Sequence, residues 1–275
     1  MKKHILFFGF GFSAEALSRR LDPAVWKITG TSRSEEGAAK ITTLGHTGVV
    51  FGEMDMIPAS VTHIISSIPP DAEGDPVLRK FSSQLAARAK SFDWVAYLST
   101  TGVYGDHGGA WVDEDTPLTP NTERGHRRQS AETAWLALPV HIFRLAGIYG
   151  PGRNALESLK DGTAKRVIRE GQVFSRIHVE DIAGILAASM SKPNPGRAYN
   201  VADDEACPPQ DVIAYGAELL GMEPPPEIAF EDAQLSPMAR SFFMDSKRVS
   251  NARVKDELGY EFRFPNYRVG LKSLV

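Results

Sequence analysis

The apolar run His4-Ile-Leu-Phe-Phe8 passes straight into Gly9-Phe-Gly-Phe-Ser-Ala14, and Glu15-Ala-Leu-Ser-Arg-Arg-Leu21 then continues with helical spacing. A strand that ends in closely spaced glycines and turns at once into a helix constrains the fold more than any feature of composition. Gly9 permits a tight turn, Gly11 lets another group approach the backbone, and Ala14 lets the helix pack closely on the strand. The unpaired N–H groups of the first helical turn favour an anion. The pattern is that of a dinucleotide pyrophosphate site lined by Gly9, Phe10, Gly11, Phe12, Ser13 and Ala14.

The second strand is expected at Trp26–Thr31. Where the adenosine ribose is unphosphorylated, an Asp or Glu usually stands at the end of this strand to bond the 2′-hydroxyl. Here the end reads Gly30-Thr-Ser-Arg-Ser34, and the first acid is Glu35. Arg33 suits a 2′-phosphate, with Thr31, Ser32 and Ser34 as hydroxyl donors. This favours NADP(H) over NAD(H). A solvated charge at a strand end is the other reading of Arg33.

At 275 residues, 42% hydrophobic and 24% charged, the chain has room for one large domain, or a nucleotide domain with a small lobe. A net charge of −3 gives no reason to expect nucleic acid. The single cysteine, Cys207, excludes an internal disulfide framework and fits a reducing cytoplasm. No Cys/His cluster has metal-ligand spacing. Met1-Lys-Lys with the apolar run after it mimics a signal peptide, but the run is short and broken by Gly9 and Gly11. No apolar run approaches membrane-spanning length.

Short apolar runs alternate with helical patterns through the first half, which predicts βαβ units and a doubly wound parallel sheet. Strands are expected at His4–Phe8, Trp26–Thr31, Gly48–Phe51, Thr62–Ser66, Trp94–Leu98 and Val140–Leu145. Helices are expected at Ser13–Arg20, Glu35–Leu44, Pro76–Ser91 and Thr122–Leu136. Long connections at 102–121 and 147–153 follow strand ends, where open α/β sheets bind ligands. Beyond Gly150, Lys165–Ile168 and Gln172–Phe174 read as a hairpin and Val179–Met190 as a helix. Arg197–Val201 reads as a strand, and Pro209–Leu220 and Ser246–Leu258 as helices. The expected division is a nucleotide domain over 1–150, to which 178–201 returns, and a small lobe over 151–275.

Several blocks in order resemble the extended short-chain dehydrogenase/reductases, the NAD-dependent epimerase/dehydratase group. They are Ser99-Thr-Thr-Gly-Val-Tyr-Gly105, Trp111-Val-Asp-Glu-Asp-Thr-Pro117, Arg144-Leu-Ala-Gly-Ile-Tyr-Gly-Pro-Gly152 and Ile177-His-Val-Glu-Asp-Ile182, with Glu257-Leu-Gly-Tyr260 and Tyr267-Arg-Val-Gly-Leu271 near the end. The resemblance covers nearly the whole chain and implies an NAD(P)-binding Rossmann fold with a small C-terminal substrate lobe. It implies action on a small-molecule substrate, and pairing of copies through the helices at Pro76–Ser91 and Thr122–Leu136.

In that family a Ser or Thr, a Tyr and a Lys form the site, the last two spaced Tyr-x-x-x-Lys. The resemblance places Thr100 in the hydroxyl position with Thr101 beside it. The Tyr and Lys are missing. The family's helix continues to a Glu four residues past the Lys, and Glu132 supplies that mark. It puts Arg128 where Lys belongs and Arg124 where Tyr belongs. Arg128 retains a charged donor for the ribose. Arg124 cannot act as a proton donor, since guanidinium keeps its proton at any ordinary pH. Tyr104, Tyr149 and bound water are the remaining candidates for the proton. His126 lies roughly 200° around the helix from Arg124.

Arginines four apart share a helix face. Arg124 and Arg128, with Arg153 or Arg176, suit an anionic substrate held in bidentate fashion; a solvated face of Arg124, Arg127 and Arg128 paired with Glu123 and Glu132 is the bland reading. The resemblance places Ser66 and Pro69 beside the cofactor, and a turn forced by Pro69 and Pro70 explains them equally well. His178, Asp181 and Arg144 read as structural. The sequence thus leads to an NADP-dependent oxidoreductase or epimerase on a polar, anionic, sugar-like or nucleotide-linked substrate. A cofactor-holding sensor without hydride chemistry is the alternative.

Overall fold

The computed structural model describes residues 2–275, of Met238 only the backbone. Seven strands form the main sheet: β1 (Lys3–Phe8), β2 (Trp26–Ser32), β3 (Thr47–Val50), β4 (His63–Ser66), β5 (Trp94–Thr100), β6 (His141–Leu145) and β7 (Ala198–Val201). The principal helices are α1 (Phe12–Ser18), α2 (Glu35–Thr43), α3 (Pro76–Ala87), α4 (Glu123–Trp135), α5 (Ala155–Lys160), α6 (Val179–Ser191) and α7 (Pro209–Leu220). The chain divides into two compact units. Unit 1 runs to Thr100 and adds His126–Arg144 and Ile182–Tyr199; unit 2 holds Thr101–Gly125, Leu145–Asp181 and Asn200–Val275. No helix among the described residues is long and apolar enough to cross a membrane.

Unit 1 is built on the sheet, in the order β7-β6-β5-β4-β1-β2-β3. From β5 to β3 the strands run parallel. The order reverses between β1 and β4, which is where an open α/β sheet leaves a crevice at its strand ends. The register sets Phe8 beside Ser66 and Ser66 beside Tyr97, so β1, β4 and β5 end on one edge. β1 and β4 are buried almost throughout, as helices on both faces require. Phe8 stacks on Phe81 of α3 at 5.2 Å, and Tyr97 stacks on Trp135 of α4 at 5.7 Å.

Local chemistry fixes the helices of this unit. α3 begins with Pro76 in its first turn, and the Asp75 carboxylate accepts from the Val77 and Leu78 N–H groups. The other Asp75 oxygen takes the Trp135 indole N–H at 3.1 Å. Glu132 and Arg144 form a buried ion pair, Nη2 to Oε2 2.9 Å, with Nε also donating. Glu132, the register mark of the sequence comparison, thus has the structural task of holding the Arg144 guanidinium.

Unit 2 is assembled from pieces too short to announce themselves. Trp111–Val112 pairs with Arg248–Val249, Gly147–Tyr149 with Arg176–His178, and Arg166–Ile168 with Glu227–Ala229, all parallel. The hairpin expected at Lys165–Ile168 and Gln172–Phe174 does not form. Its first strand takes the distant partner at Glu227–Ala229, and Phe174 bridges Cys207 instead. The single helix expected over Ser246–Leu258 is also corrected. Arg248–Val249 is extended because Arg248 and Ser250 donate to the Ala110 and Val112 carbonyls, and the helix starts at Ala252. Asp181, in the first turn of α6, accepts from the Tyr260 hydroxyl and the Arg263 and Phe264 N–H groups, which pins the 260–264 loop.

Candidate functional site

The glycine turn of unit 1 is held from both sides. Gly9 has φ +87°, a conformation that favours glycine. Its N–H donates to Thr31 Oγ1 at 2.9 Å, and the Phe10 N–H donates to the Thr31 carbonyl at 2.9 Å. On the β4 side the Ser67 N–H donates to the Phe8 carbonyl, and Ser67 Oγ donates to the Gly9 carbonyl at 2.8 Å. A Cβ at Gly9 would stand 2.8 Å from Ser67 Oγ. At Gly11, by contrast, a Cβ would meet nothing within 4 Å. The turn is therefore rigid at its first glycine and open at its second. Phe12 is half-buried, and Ser13 and Ala14 are buried under the start of α1. The Phe10 ring packs over Gly30 and against Phe7, so only the Phe10 backbone faces the open position.

The hydroxyls at the end of β2 divide by task. Thr31 is fully buried and serves the Gly9 N–H. Ser34 Oγ accepts from the Gly37 N–H and caps α2. Burial corrects the expectation that Thr31 donates to a 2′-phosphate; Ser34 is exposed, and its O–H remains able to donate while its oxygen caps α2. Ser32 is half-buried, and Arg33 is exposed with no ion pair among the described residues.

Along the same strand-end edge, Ser66 Oγ and Ser99 Oγ are buried without a hydrogen-bond partner among the described residues. Arg128 reaches this region from α4. Its Nη1 donates to the Leu98 carbonyl at 2.8 Å and to the Tyr97 hydroxyl at 3.1 Å, while its Nε is buried and unpartnered. One edge of the guanidinium is thus tied to β5. Burial pushes the Tyr97 phenol well above its usual range, so it stays protonated. Thr100 ends β5 half-buried, and Pro69 is exposed. Space at Gly11 with orphaned polar atoms at Ser66, Ser99 and Arg128 fits a dinucleotide along this edge.

In unit 2 Thr101 is half-buried and opens the single turn Thr101–Tyr104. Tyr104 is fully buried, and its hydroxyl donates to Asn200 Oδ1 at 2.8 Å. Tyr149 is buried too. Its hydroxyl donates to the Asn266 carbonyl at 3.4 Å, its ring meets His178 edge-on at 5.1 Å, and Gly270 packs against it so closely that a Cβ there would run into the phenol. Burial drives the Tyr149 phenol far up. The expectation of Tyr104 as a catalytic group and Tyr149 as a substrate contact is therefore corrected: both hydroxyls are enclosed and engaged. Arg124 is exposed in the first turn of α4. Arg153 is exposed, its backbone closing the turn with Gly150. His178 is buried and lowered to about 4 by that burial, with its ring 3.9 Å from Phe264.

Unit 2 also contains a cavity of about 370 Å³ between α5, α7 and Val167, with Arg176, Leu235 and Phe243 completing its lining. Sequence reasoning did not find it, because its walls come from segments scattered over 154–243. It also missed Ser67 as the β4-side clamp, Asn200 as the Tyr104 partner and Asp203 as a buried carboxyl. Of these only Ser67 carried a signal, lying in the Ser-Ser-Ile-Pro-Pro loop.

A solved structure described as a functionally unknown conserved protein from Silicibacter pomeroyi DSS is 54% identical, with TM-score 0.96 over 99% of this chain and 98% of that one. A structure described as a candidate NAD-dependent epimerase/dehydratase from Methylobacillus flagellatus is 25% identical, with TM-score 0.71 over 100% of this chain and 98% of its own. The chain is similar over its whole length to NAD-dependent epimerase/dehydratase structures and shares their fold. Protein YeeZ of Escherichia coli strain K12 is 27% identical over 285 residues, 96% of this chain and 97% of YeeZ. No family model matches the chain. Arg124 and Arg128 stand where the resemblance of the sequence places the Tyr and Lys of the short-chain dehydrogenases.

Proposed function

We propose that this protein is an NADP(H)-dependent oxidoreductase or epimerase of the short-chain dehydrogenase type, acting on a polar, anionic small molecule of the sugar or nucleotide-linked kind. The observation that carries the reading is the turn clamped by Thr31 and Ser67 with open space at Gly11. The relative from Methylobacillus flagellatus, whose description names an NAD-dependent epimerase/dehydratase, supports a nicotinamide cofactor. Arg33 and Ser32, exposed and half-buried at the end of β2, favour the phosphorylated form.

When bound, the nicotinamide supplies a hydride acceptor or donor. Backbone groups of Gly9–Ala14 hold the pyrophosphate, and Arg128 Nε with Ser66 takes up bonds that are otherwise missing. The Thr100 hydroxyl orients the reacting oxygen. Arg124 binds the substrate's carboxylate or phosphate and moves no proton. With Tyr104 and Tyr149 engaged, the proton travels through water at Thr100. The second reading is a cofactor-holding sensor, favoured by the Arg at the family's Tyr position. Pairing of copies through α3 and α4, and a cytoplasmic location, belong to the same proposal.

Parallel calorimetric titrations with NADPH and NADH test it. Tight, NADPH-selective binding, followed by NADPH oxidation with an anionic carbonyl compound, is the expected result. Selective binding with no turnover across a broad carbonyl and sugar-nucleotide panel would favour the sensor. Binding of neither cofactor by folded, cofactor-free protein would overturn both readings.

A further inference from the structure

The cavity of unit 2 has a floor and a wall of different chemistry. The wall is apolar, made by Val167, Pro209, Val212, Ile213, Leu235 and Phe243. Most polar side chains on the lining are already used. Asn154 caps α5 through Oδ1 and donates to the Gly150 carbonyl through Nδ2, and Ser158 Oγ donates to the Ala155 carbonyl at 2.9 Å. Lys165 is exposed and donates to the Gln234 carbonyl at 2.7 Å.

Arg176 is different. Its Nη1 donates to the Phe174 carbonyl, the Cys207 carbonyl and Cys207 Sγ. All three acceptors are neutral at ordinary pH, because burial pushes the Cys207 thiol up to about 11. Its Nε and Nη2 donate to no described residue, and no carboxylate pairs with it. The charges nearby on unit 2 do pair: Arg166 with Glu227, Arg253 with Asp115, and Arg268 with Glu205. Asp203, whose N–H donates to the Arg176 carbonyl, does not neutralise it, since burial raises that carboxyl to about 8. One edge of a planar guanidinium is thus fixed by the backbone and the other is left available at an apolar cavity.

We propose that this cavity binds a monocarboxylate with a short apolar body, its carboxylate forked on the Nε–Nη2 edge of Arg176 and its body against Val212, Ile213 and Phe243. A fork of parallel N–H donors matches a carboxylate. Lys165 also lies on the lining, but its ammonium is exposed and held by the Gln234 carbonyl, so the planar edge of Arg176 is the fork that suits a carboxylate. The volume, about 370 Å³, lies at the lower end of the range for small-molecule sites. The inference rests on unit 2 by itself and stands whether or not the chain moves hydride.

The test uses the full chain and three probes of one chain length: hexanoate, 1-hexanol and hexyl phosphate. Binding is read by calorimetry and by methyl chemical shifts of Val212 and Ile213. Hexanoate should bind and shift those methyls, and 1-hexanol should bind at least about tenfold more weakly. Arg176→Gln should cost hexanoate a similar factor. Because Arg176 also ties down backbone, Ile213→Trp, which fills the cavity and removes no hydrogen bond, should abolish binding in a protein with unchanged circular dichroism. No hexanoate binding to the wild type would overturn the site. Equal affinity for 1-hexanol would overturn the role of Arg176, and preference for hexyl phosphate would overturn the carboxylate. NADPH binding is measured on the same samples, so failure here is separable from failure of the cofactor reading.

Discussion

The two units treat buried polar groups differently. Among the described residues of unit 1 the unpartnered buried atoms are Ser66 Oγ, Ser99 Oγ and Arg128 Nε, two at strand ends and one on the α4 arginine tied to β5. Elsewhere that unit closes its polar accounts locally, with Thr31 on Gly9, Asp75 on α3 and Glu132 on Arg144. In unit 2 the orphans are Arg166 Nε, His178 Nε2, Asn200 Nδ2, Asp203 Oδ2, Gln210 Oε1 and Asp245 Oδ1, spread through the unit. Native interiors leave few such groups, so where they gather is informative. Unit 1 concentrates its deficit at one edge, as a dedicated cofactor site does. Unit 2 distributes its deficit, and none of these residues lines its cavity.

The sharpest way to break this contrast is the buried pair of unit 1. Glu132→Gln should destabilise the protein by roughly 3–5 kcal/mol, because it leaves the buried Arg144 charge without its carboxylate. The double variant Glu132→Leu with Arg144→Met should recover most of that loss in urea denaturation. A small loss in the single variant would mean that solvent reaches the pair, and that unit 1 is not the better-satisfied unit.

Asp203 tests the other side. Burial raises its carboxyl to about 8 in the folded protein, against 3.8 for the free group. The folded state therefore keeps a proton that the unfolded chain has lost, and unfolding releases it. Stability contributed by this group should fall as pH rises from about 4 to about 8 and level off above that. Asp203→Asn, which never ionises, should remove that slope from a series of denaturation curves. An unchanged slope would show that the carboxyl is hydrated and that its orphaned oxygen has a partner in water.

How much of this was legible before folding depends on how far apart the partners lie. The glycine turn could be read because Gly9, Gly11 and Ala14 act within one turn, and the sheet could be read because each strand is an apolar run of its own. Expected and observed strands differ by only a residue or two, as with Trp94–Leu98 against Trp94–Thr100. Unit 2 was misread where pairing is remote. Nothing near Arg166–Ile168 says that it joins Glu227–Ala229, and nothing near Tyr104 says that Asn200 will take its hydroxyl. A motif names a residue type; only the partner decides whether its functional atom is free.

Tyr104 puts that statement to a test. If its hydroxyl is structural, Tyr104→Phe should cost roughly 1–3 kcal/mol in stability, because Asn200 Oδ1 loses its donor, with turnover and its pH profile unchanged. A collapse of turnover at unchanged stability would instead make the phenol the proton carrier and reverse the assignment. Arg33→Ala should have a smaller effect confined to the β2 end: about tenfold weaker NADPH binding, or ~1.4 kcal/mol, with NADH unaffected. An equal loss for both cofactors would remove the basis for choosing the phosphorylated one.

The smallest expected effect separates Ser34 from Arg33, its neighbour in sequence. Ser34 Oγ accepts from the Gly37 N–H at 3.2 Å, so the side chain serves α2. Ser34→Ala should lower stability by ~1 kcal/mol, the usual worth of a lost cap. It should leave the ratio of NADPH to NADH affinity where the wild type has it. Ser34→Asp keeps a capping oxygen and adds a negative charge at the helix start, so it should restore the stability. That charge would also stand beside any 2′-phosphate at the end of β2, so Ser34→Asp should weaken NADPH more than NADH. If Ser34→Ala alone lowered NADPH affinity selectively, the hydroxyl would be shared between cap and cofactor. The edge of unit 1 would then be less cleanly divided between structure and function than Thr31 and Ser67 imply.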